Sequence, residues 1–386
     1  MLDRIIQPFL KQSSKSILIL GPRQVGKSTL IETLKPDRKI NFADEALYLQ
    51  YAKDPGLLKR ELSILTKPSL IALDEVQRIP AIFNSVQAIL DEGKRHRFIL
   101  TGSSARKLKR GQANLLPGRI IVQYMDPLSF WELDAEFNLE KVLQRGSLPE
   151  IYLNEQEGLD ILETYTTVYL KEEIQHEAVT KNVGSYARFL DLAAQASGQW
   201  INYSKIASDS EIPKETIRRF FTILEETLVA FRIPAYQPSP SKRHVSQRDR
   251  FLFFDVGVRN VLLGLHRGAL SPIEKGNLFE HWIILQCLCF IRAYRKNWQI
   301  STYRTDAGVE VDLILDIGPK LVAIEIKHMK KISARDWRGL KSFESVARKP
   351  VKKLIVYTGE TAQKFSQTEV VLPFKEFLTQ FLPSLG

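Results

Sequence analysis

The chain is poor in sulfur and short of acid, with two cysteines, three methionines and 44 Asp and Glu in 386 residues. Both cysteines, Cys287 and Cys289, stand in the apolar stretch 283–291. That leaves no disulfide framework and no zinc-binding spacing, and they read as buried thiols in a reducing cytoplasm. No apolar run is long enough to span a bilayer, so no membrane partner is expected. The opening residues, Met1 to Pro8, lack the architecture of a signal peptide. Internal repeats and low-complexity tracts are missing too. Against the 44 acids stand 55 Lys and Arg, a net charge of +11 and a pI of about 9.4. Such a balance suits an anionic partner, nucleic acid or a membrane surface, and equally a basic protein with neither. The length suggests two or three domains, and 44% apolar residues suffice for real cores.

What is present begins at Ile17–Leu20, a short apolar run of the kind found in a fully buried parallel strand. Gly21 ends it, and Gly21-Pro22-Arg23-Gln24-Val25-Gly26-Lys27-Ser28 fits the phosphate-binding loop, with Thr29 to Leu34 opening a helix. Gly21 and Gly26 let the main chain curl until its N–H groups converge on phosphate oxygens. The helix N-terminus adds partial positive charge. Residues 21–29 are therefore the expected ATP-binding segment. Lys27 reaches the β- and γ-phosphates, and the Ser28 hydroxyl ligates Mg²⁺.

Leu70-Ile71-Ala72-Leu73-Asp74-Glu75 is the next strong signal. Four apolar residues ending in two carboxylates describe a buried strand whose C-terminal end faces a ligand. Asp74 is expected to hold Mg²⁺, directly or through water, and Glu75 to polarise the attacking water. Phe98 to Ser104 is a further buried strand ending in small polar residues. Thr101 or Ser103 can sense the γ-phosphate or the water there; the plainer reading is a hydroxyl-rich turn. Arg119 can bring charge to a phosphate in its own subunit or a neighbour's, or be an ordinary surface arginine.

Five motifs fall in an order that resembles a family of prokaryotic AAA-type ATPases: Gly21 to Ser28, Leu73-Asp-Glu-Val-Gln77, Leu100-Thr-Gly-Ser-Ser104, Pro127-Leu-Ser-Phe-Trp-Glu132 and Arg145-Gly-Ser-Leu-Pro-Glu150. The similarity continues through Phe254-Asp255-Val256-Gly257 to the C-terminal region. The resemblance implies ATP and Mg²⁺ at Lys27, Ser28, Asp74 and Glu75, where the chain departs from the family at no position.

In the middle of the chain, residues 158–178 read as a helix with one apolar face, packing between domains. From Ser185 to Tyr236 the pattern predicts three helices, near 185–196, 204–208 and 215–227, then strands over 228–236 and 250–254. Three helices and a two-stranded ribbon make a winged helix-turn-helix. Its third helix would enter a DNA major groove, with Lys214, Arg218 and Arg219 toward phosphates or base edges. The alternative is a winged helix used for protein contacts, which Glu215, Glu225 and Glu226 favour. The basic stretch 237–250 reads as the loop between the wing strands.

The last third predicts helix, three strands, helix, strand: 274–292, 298–304, 310–315, 321–327, 334–346 and 353–357. Charges inside these strands carry the argument. Side chains two apart share a face of a strand, so Glu325 and Lys327 point the same way. Burying Asp312, Glu325 and an amine in a sheet is costly unless they pair or bind metal. Asp312 and Glu325 are hard oxygen ligands for Mg²⁺, Lys327 can position a water, and Glu280 can reach in from the preceding helix. The pattern resembles the restriction-endonuclease-like, PD-(D/E)XK superfamily, and all four positions are filled. The alternative keeps the four as a buried ion-pair network. Nine Lys and Arg against two acids between Lys330 and Lys353 supply a basic surface beside it, or merely a solvated helix face.

The expectation is an α/β multidomain protein of the cytoplasm: a P-loop ATPase with a parallel sheet (1–150), a helical linker and winged helix (151–260), and a restriction-endonuclease-like domain (261–386). ATP and Mg²⁺ are the expected cofactors and DNA the expected partner. A homo-oligomer and a protein partner stay open. The alternative is a nucleotide-driven switch acting on a protein, its nuclease fold an inert platform.

Overall fold

The computed structural model describes residues 2–93, 96–104, 118–170, 183–237 and 245–386. The chain forms two compact units: residues 1–128 with 223–229, and residues 129–222 with 230–386. The expected boundaries near 150 and 260 both fall inside the second unit, whose helical and sheet portions cluster together.

The first unit is built on five strands: β1 Ser16–Leu20, β2 Arg38–Asn41, β3 Leu70–Asp74, β4 Arg97–Gly102 and β5 Ile120–Tyr124. All pair in parallel, in the order β2-β3-β4-β1-β5. The inner strands are covered on both faces, so Ile17 to Leu20, Ile71 to Leu73 and Phe98 to Leu100 are apolar without alternation. Leu18, Leu73 and Leu100 share a core with Phe83, Val86 and Ile89 of the helix Ile82–Asp91. Because β4 lies between β1 and β3, the chain leaving all three C-terminal ends converges at one place. That place is where open parallel sheets bind ligands. Helix α1, Lys27–Thr33, starts there.

In the second unit, Gly158–Thr164 is α-helical and Tyr165–Leu170 continues with a wider π turn. The rest of that expected helix, 171–178, lies outside the described residues. Next come α2 Val183–Ala196, α3 Tyr203–Ser210 and α4 Lys214–Glu226, then β6 Ala230–Ile233 paired antiparallel with β7 Arg250–Phe253. In the interior of this portion Phe221 meets Phe189 and Phe251 edge to face, and Phe220 packs tilted against Phe189. The three helices and the ribbon stand in the expected order, but the ribbon is not a free wing. Beyond β6, Tyr236 N–H donates to Thr302 O (2.7 Å), and before β7, Ser246 N–H donates to Arg304 O (2.8 Å). Both bonds satisfy backbone groups of an edge strand that would otherwise be open. Lys242, Arg243 and His244, expected in the loop between the two strands, lie outside the described residues.

The remainder is helix α5 Val256–Leu262, the long helix α6 Pro272–Ala293, and six strands with one helix among them. The strands are β8 Gln299–Arg304, β9 Glu310–Asp316, β10 Leu321–Lys327, β11 Val351–Tyr357, β12 Gln363–Lys364 and β13 Glu369–Pro373. Helix α7, Arg338–Glu344, joins β10 to β11. The sheet order is β12-β13-β11-β10-β9-β8, antiparallel through β8, β9 and β10 and parallel through β10, β11 and β13. Helix, three strands, helix, strand is the order the patterning predicts. Ile314, Leu321 and Ala323 pack with Leu340 and Phe343 of α7.

Two of the family-like motifs meet in this unit and serve packing. The buried Asp255 carboxylate caps α5 by accepting from Gly257 and Val258 N–H, and also accepts from Ser147 N–H (2.8 Å). Gly146, at φ 73°, leaves room for it: a Cβ there would stand 1.9 Å from Asp255 Oδ1. A Cβ at Gly257 would stand 2.2 Å from Arg145 O. Burial pushes the Asp255 carboxyl up to about 6, against the lowering by those three N–H donors.

Candidate functional site

The loop leaving β1 is shaped by its main chain. Gly26 has φ 91° and Gln24 φ 63°, both left-handed. Gly21 rests against the chain after β5, where a Cβ would stand 2.2 Å from Met125 O. Lys27 Nζ curls into the loop, donating to Gly21 O (2.8 Å) and Pro22 O (2.7 Å), and is buried. Arg4 braces the loop from outside: its guanidinium donates to Val25 O (2.5 Å) and to Asp126 O (2.6 Å). Sequence reasoning gave Arg4 no role, and no local motif marks it.

Ser28 Oγ donates to Asp74 Oδ2 at 2.6 Å, although the two are 46 positions apart. A hydroxyl and a carboxylate side by side are the hard oxygens Mg²⁺ takes, so the residues present fit the ion. Glu75 follows at φ 60°, a strained left-handed position for a non-glycine residue. The side-chain amide of Gln77 donates to both Glu75 Oε2 and Ser103 Oγ. Gln77 is buried and fixes the carboxylate expected to polarise water; it was legible only as part of Leu73-Asp-Glu-Val-Gln77.

Two expected phosphate contacts are placed otherwise. Thr101 is fully buried, and its single hydroxyl proton goes to Asp74 Oδ1 while its oxygen accepts from Glu75 N–H (3.2 Å). It braces Asp74 rather than facing a γ-phosphate. Arg119 precedes β5, whose Ile120 lies opposite Ser16 of β1. The loop leaves β1 after Leu20, so Arg119 stands at the other end of the sheet, ~16 Å of strand away. Its Nε donates to Asp91 Oδ1 at 2.6 Å. Of its two expected roles, the one within its own subunit does not survive.

The four expected nuclease-like residues are brought together within the second unit. The β9–β10 register pairs Leu313 with Ile324, which sets Asp312 opposite Glu325 at the next step. Asp312 Oδ2 accepts from Ile326 N–H (2.7 Å), and Lys327 Nζ donates to Glu325 Oε1 (2.5 Å). Glu325 Oε2 is buried and has no hydrogen-bond partner. A Cβ at Gly339, in α7, would stand 1.9 Å from Glu310 O and 3.6 Å from that oxygen, so the helix lies close over the cluster. Glu280 of α6 is held by Arg250 of β7, a residue sequence reasoning read only as part of a basic loop and the strand after it. Arg250 is buried and also donates to Asp312 O (3.2 Å) and, through Nε, to Gly198 O (3.0 Å).

Charge in this cluster is unbalanced, with three carboxyls facing two cations. Burial, chiefly, then Asp312 push Glu325 up to about 9 against the pull of Lys327. Burial likewise pushes Glu280 up to about 7, although Arg250 lowers it. Lys327 is raised: burial opposes its charge, but Asp312, Glu325 and Glu280 outweigh that. His281, the neighbour of Glu280, is pushed down to about 3 by burial and faces Phe253 O, so it is neutral. Among the described residues no three His, Cys, Asp or Glu side chains are arranged to hold a metal ion. Asp312 with the unpartnered Glu325 oxygen fits a Mg²⁺ that keeps most of its waters, with no third protein ligand. Beside the cluster Lys331, Arg335, Arg338 and Lys341 are exposed, whereas Lys349 and Lys353 are paired with acids. On α4, Arg218 is tied to Glu215 (2.8 Å), while Lys214 and Arg219 are exposed.

The parallel five-stranded sheet with a phosphate-loop sequence at its C-terminal edge defines a P-loop nucleotide-binding domain. Residues 13–134 match the model of the AAA domain, which makes this an AAA-type domain. Residues 136–268 and 275–377 match two domains of unknown function, DUF8612 and DUF4143. An uncharacterized protein of Mycobacterium tuberculosis is 25% identical over 370 residues, 94% of this chain and 81% of its own. One of Haemophilus influenzae is 21% identical over 358 residues, 84% of this chain and 85% of its own. Among solved structures, the replication initiator DnaA bound to AMPPCP and single-stranded DNA overlaps 57% of this chain and 86% of that one, at 15% identity and a TM-score of 0.28. A crystal structure of a Vibrio cholerae protein overlaps 97% and 100%, at 12% and 0.24. Overlaps this loose carry neither fold nor function across. No helix among the described residues is long and apolar enough to cross a membrane.

Proposed function

We propose that the protein binds and hydrolyses ATP with Mg²⁺, and that nucleotide state governs a DNA-binding, nuclease-like second unit. The observation that carries the first half is the Ser28–Asp74 contact beside the Lys27 loop. In this reading the N–H groups of residues 21–29 and Lys27 hold the phosphates, Ser28 and Asp74 hold the ion, and Glu75 takes up the proton of the attacking water. The ion neutralises charge on the transferred phosphoryl group. For the second half, Asp312 and Glu325 are the metal ligands, Lys327 orients a water, and the exposed bases 331–341 track a phosphate backbone. Support comes from the gathered cluster and the bare Glu325 oxygen. The winged-helix reading of α2 to α4 with β6 and β7, and a cytoplasmic location, belong to the same proposal.

A second reading treats the cluster as an ion-pair network and the protein as an ATP-driven switch on a protein partner. The Arg250–Glu280 pair favours it. ATP hydrolysis and plasmid cleavage measured together in Mg²⁺ or Mn²⁺ separate the two. The wild type is expected to do both, Lys27→Ala and Glu75→Gln to lose ATP turnover by about 100-fold or more, and Lys327→Ala to lose cleavage alone. ATP turnover with no cutting in either metal would leave the switch.

A further inference from the structure

Arg250 stands where a cation is wanted, and three elements hold it there. Its guanidinium lies between Glu280 of α6, the carbonyl of Asp312 in β9, and Gly198 O in the turn after α2. Glu280 is thereby drawn into a buried pair and withheld from Asp312 and Glu325, the two carboxylates opposite each other in the sheet. This accounts for the gathering of three carboxyls without a three-ligand arrangement. The unpartnered Glu325 Oε2, in a residue more than nine-tenths buried, is the second sign that a positive group is still missing.

We propose that Arg250 and a divalent cation compete for Glu280, so that Arg250 is the resident counter-ion of the site and a positioning residue for its third ligand. The inference rests on the metal-site reading above. Arg250 belongs to the ribbon β6–β7, so competition ties metal occupancy to ribbon position. Binding energies of that kind are reciprocal: whatever pulls the ribbon strengthens metal binding, and metal loosens the ribbon by the same factor. Burying two like cations at one carboxylate is unfavourable, which makes the exchange close to all-or-none.

The test is Mn²⁺ binding to the full chain without nucleotide, by electron paramagnetic resonance, counting only the binding that Asp312→Asn removes. Arg250→Met is expected to bind Mn²⁺ at least tenfold more tightly than wild type, with Arg250→Lys between them. Glu280→Gln is expected to make Arg250→Met and Arg250 chains equal. Amide exchange supplies a readout that does not need Arg250→Met to fold. In the wild type, Mn²⁺ should speed exchange at 197–201 and 250–253, and in Glu280→Gln it should not. Asp312-dependent Mn²⁺ binding that ignores Arg250, or exchange at the ribbon that ignores Mn²⁺, overturns the competition and leaves the metal site standing. Mn²⁺ binding by none of these chains overturns the metal site itself.

Discussion

Gln77 donates to Glu75 and to Ser103, and so fixes a carboxylate whose main chain sits in a costly left-handed turn. Such strain persists only where surroundings over-determine it. Gln77→Ala is therefore expected to lower ATP turnover by about 100-fold, the low end of what a positioned acid or base group contributes, with ATP affinity unchanged in a binding titration. A parallel loss of affinity would mean that Gln77 supports the whole loop instead. Glu325 gives a pH signature. Its folded carboxyl sits at about 9 and that of Glu280 at about 7, both raised chiefly by burial. In the unfolded chain both lose their protons near ~4.3. Between those values the folded state binds more protons than the unfolded one, so stability is full below the unfolded pKa and falls as pH rises through 7 and 9. Lys327, raised from an already high value, titrates above this window. The Tm should thus drop from pH 6 to pH 9, and drop less in Glu325→Gln, which has no proton to lose. Equal slopes for the two chains would sink the assignment.

Elements are held apart or together by single backbone contacts, and glycine marks several. At Gly257 a Cβ meets Arg145 O, main chain that cannot swing aside. Gly257→Ala is expected to destabilise the second unit by about 2 kcal/mol or more, the range for overpacking a tight site. Urea denaturation followed by tryptophan fluorescence would read it, since all five tryptophans, the buried Trp282 among them, lie in the second unit. Gly268→Ala, with nothing near its Cβ, is the control. Motif order in the sequence did not disclose this role, because a carboxylate and two glycines more than a hundred positions apart carry no local period. Periodicity did disclose most elements: β1, β3, β4 and β10 are unbroken or nearly unbroken apolar runs, and α4 has one apolar face. The docking of the ribbon on β8 stayed hidden, since backbone pairing at an edge leaves no side-chain signature. Arg119 misled for a related reason. Its distance from the loop depends on parallel register, which a lone arginine does not report.

For the whole molecule, a net charge of +11 says only that anions are welcome. The arrangement of exposed bases says where. Arg335, Arg338 and Lys341 recur every third residue along the stretch leading into α7 and through it, all exposed. If they follow a DNA backbone, replacing all three by alanine should weaken duplex binding without changing sequence preference. The slope of log affinity against log salt should fall by ~3, about 0.9 for each phosphate that is no longer neutralised. An unchanged slope measured by anisotropy would move the DNA surface elsewhere, Lys214 and Arg219 being the next place to look. ATP turnover should not respond to these changes in the absence of DNA.

The first unit is made from two separate stretches, 1–128 and 223–229, and Leu228 sits in the same core as Leu18, Phe83 and Leu100. A ribosome therefore releases the nucleotide domain unfinished. Its last core piece emerges roughly a hundred residues late, with more than half of the second unit still to be synthesised. A nascent chain stopped near 150 would expose an apolar seat with nothing to fill it, and a fragment starting at 129 would carry a strip of core with nowhere to go. The core of the first unit is thus complete only once residue 229 has been made, before most of the second unit exists.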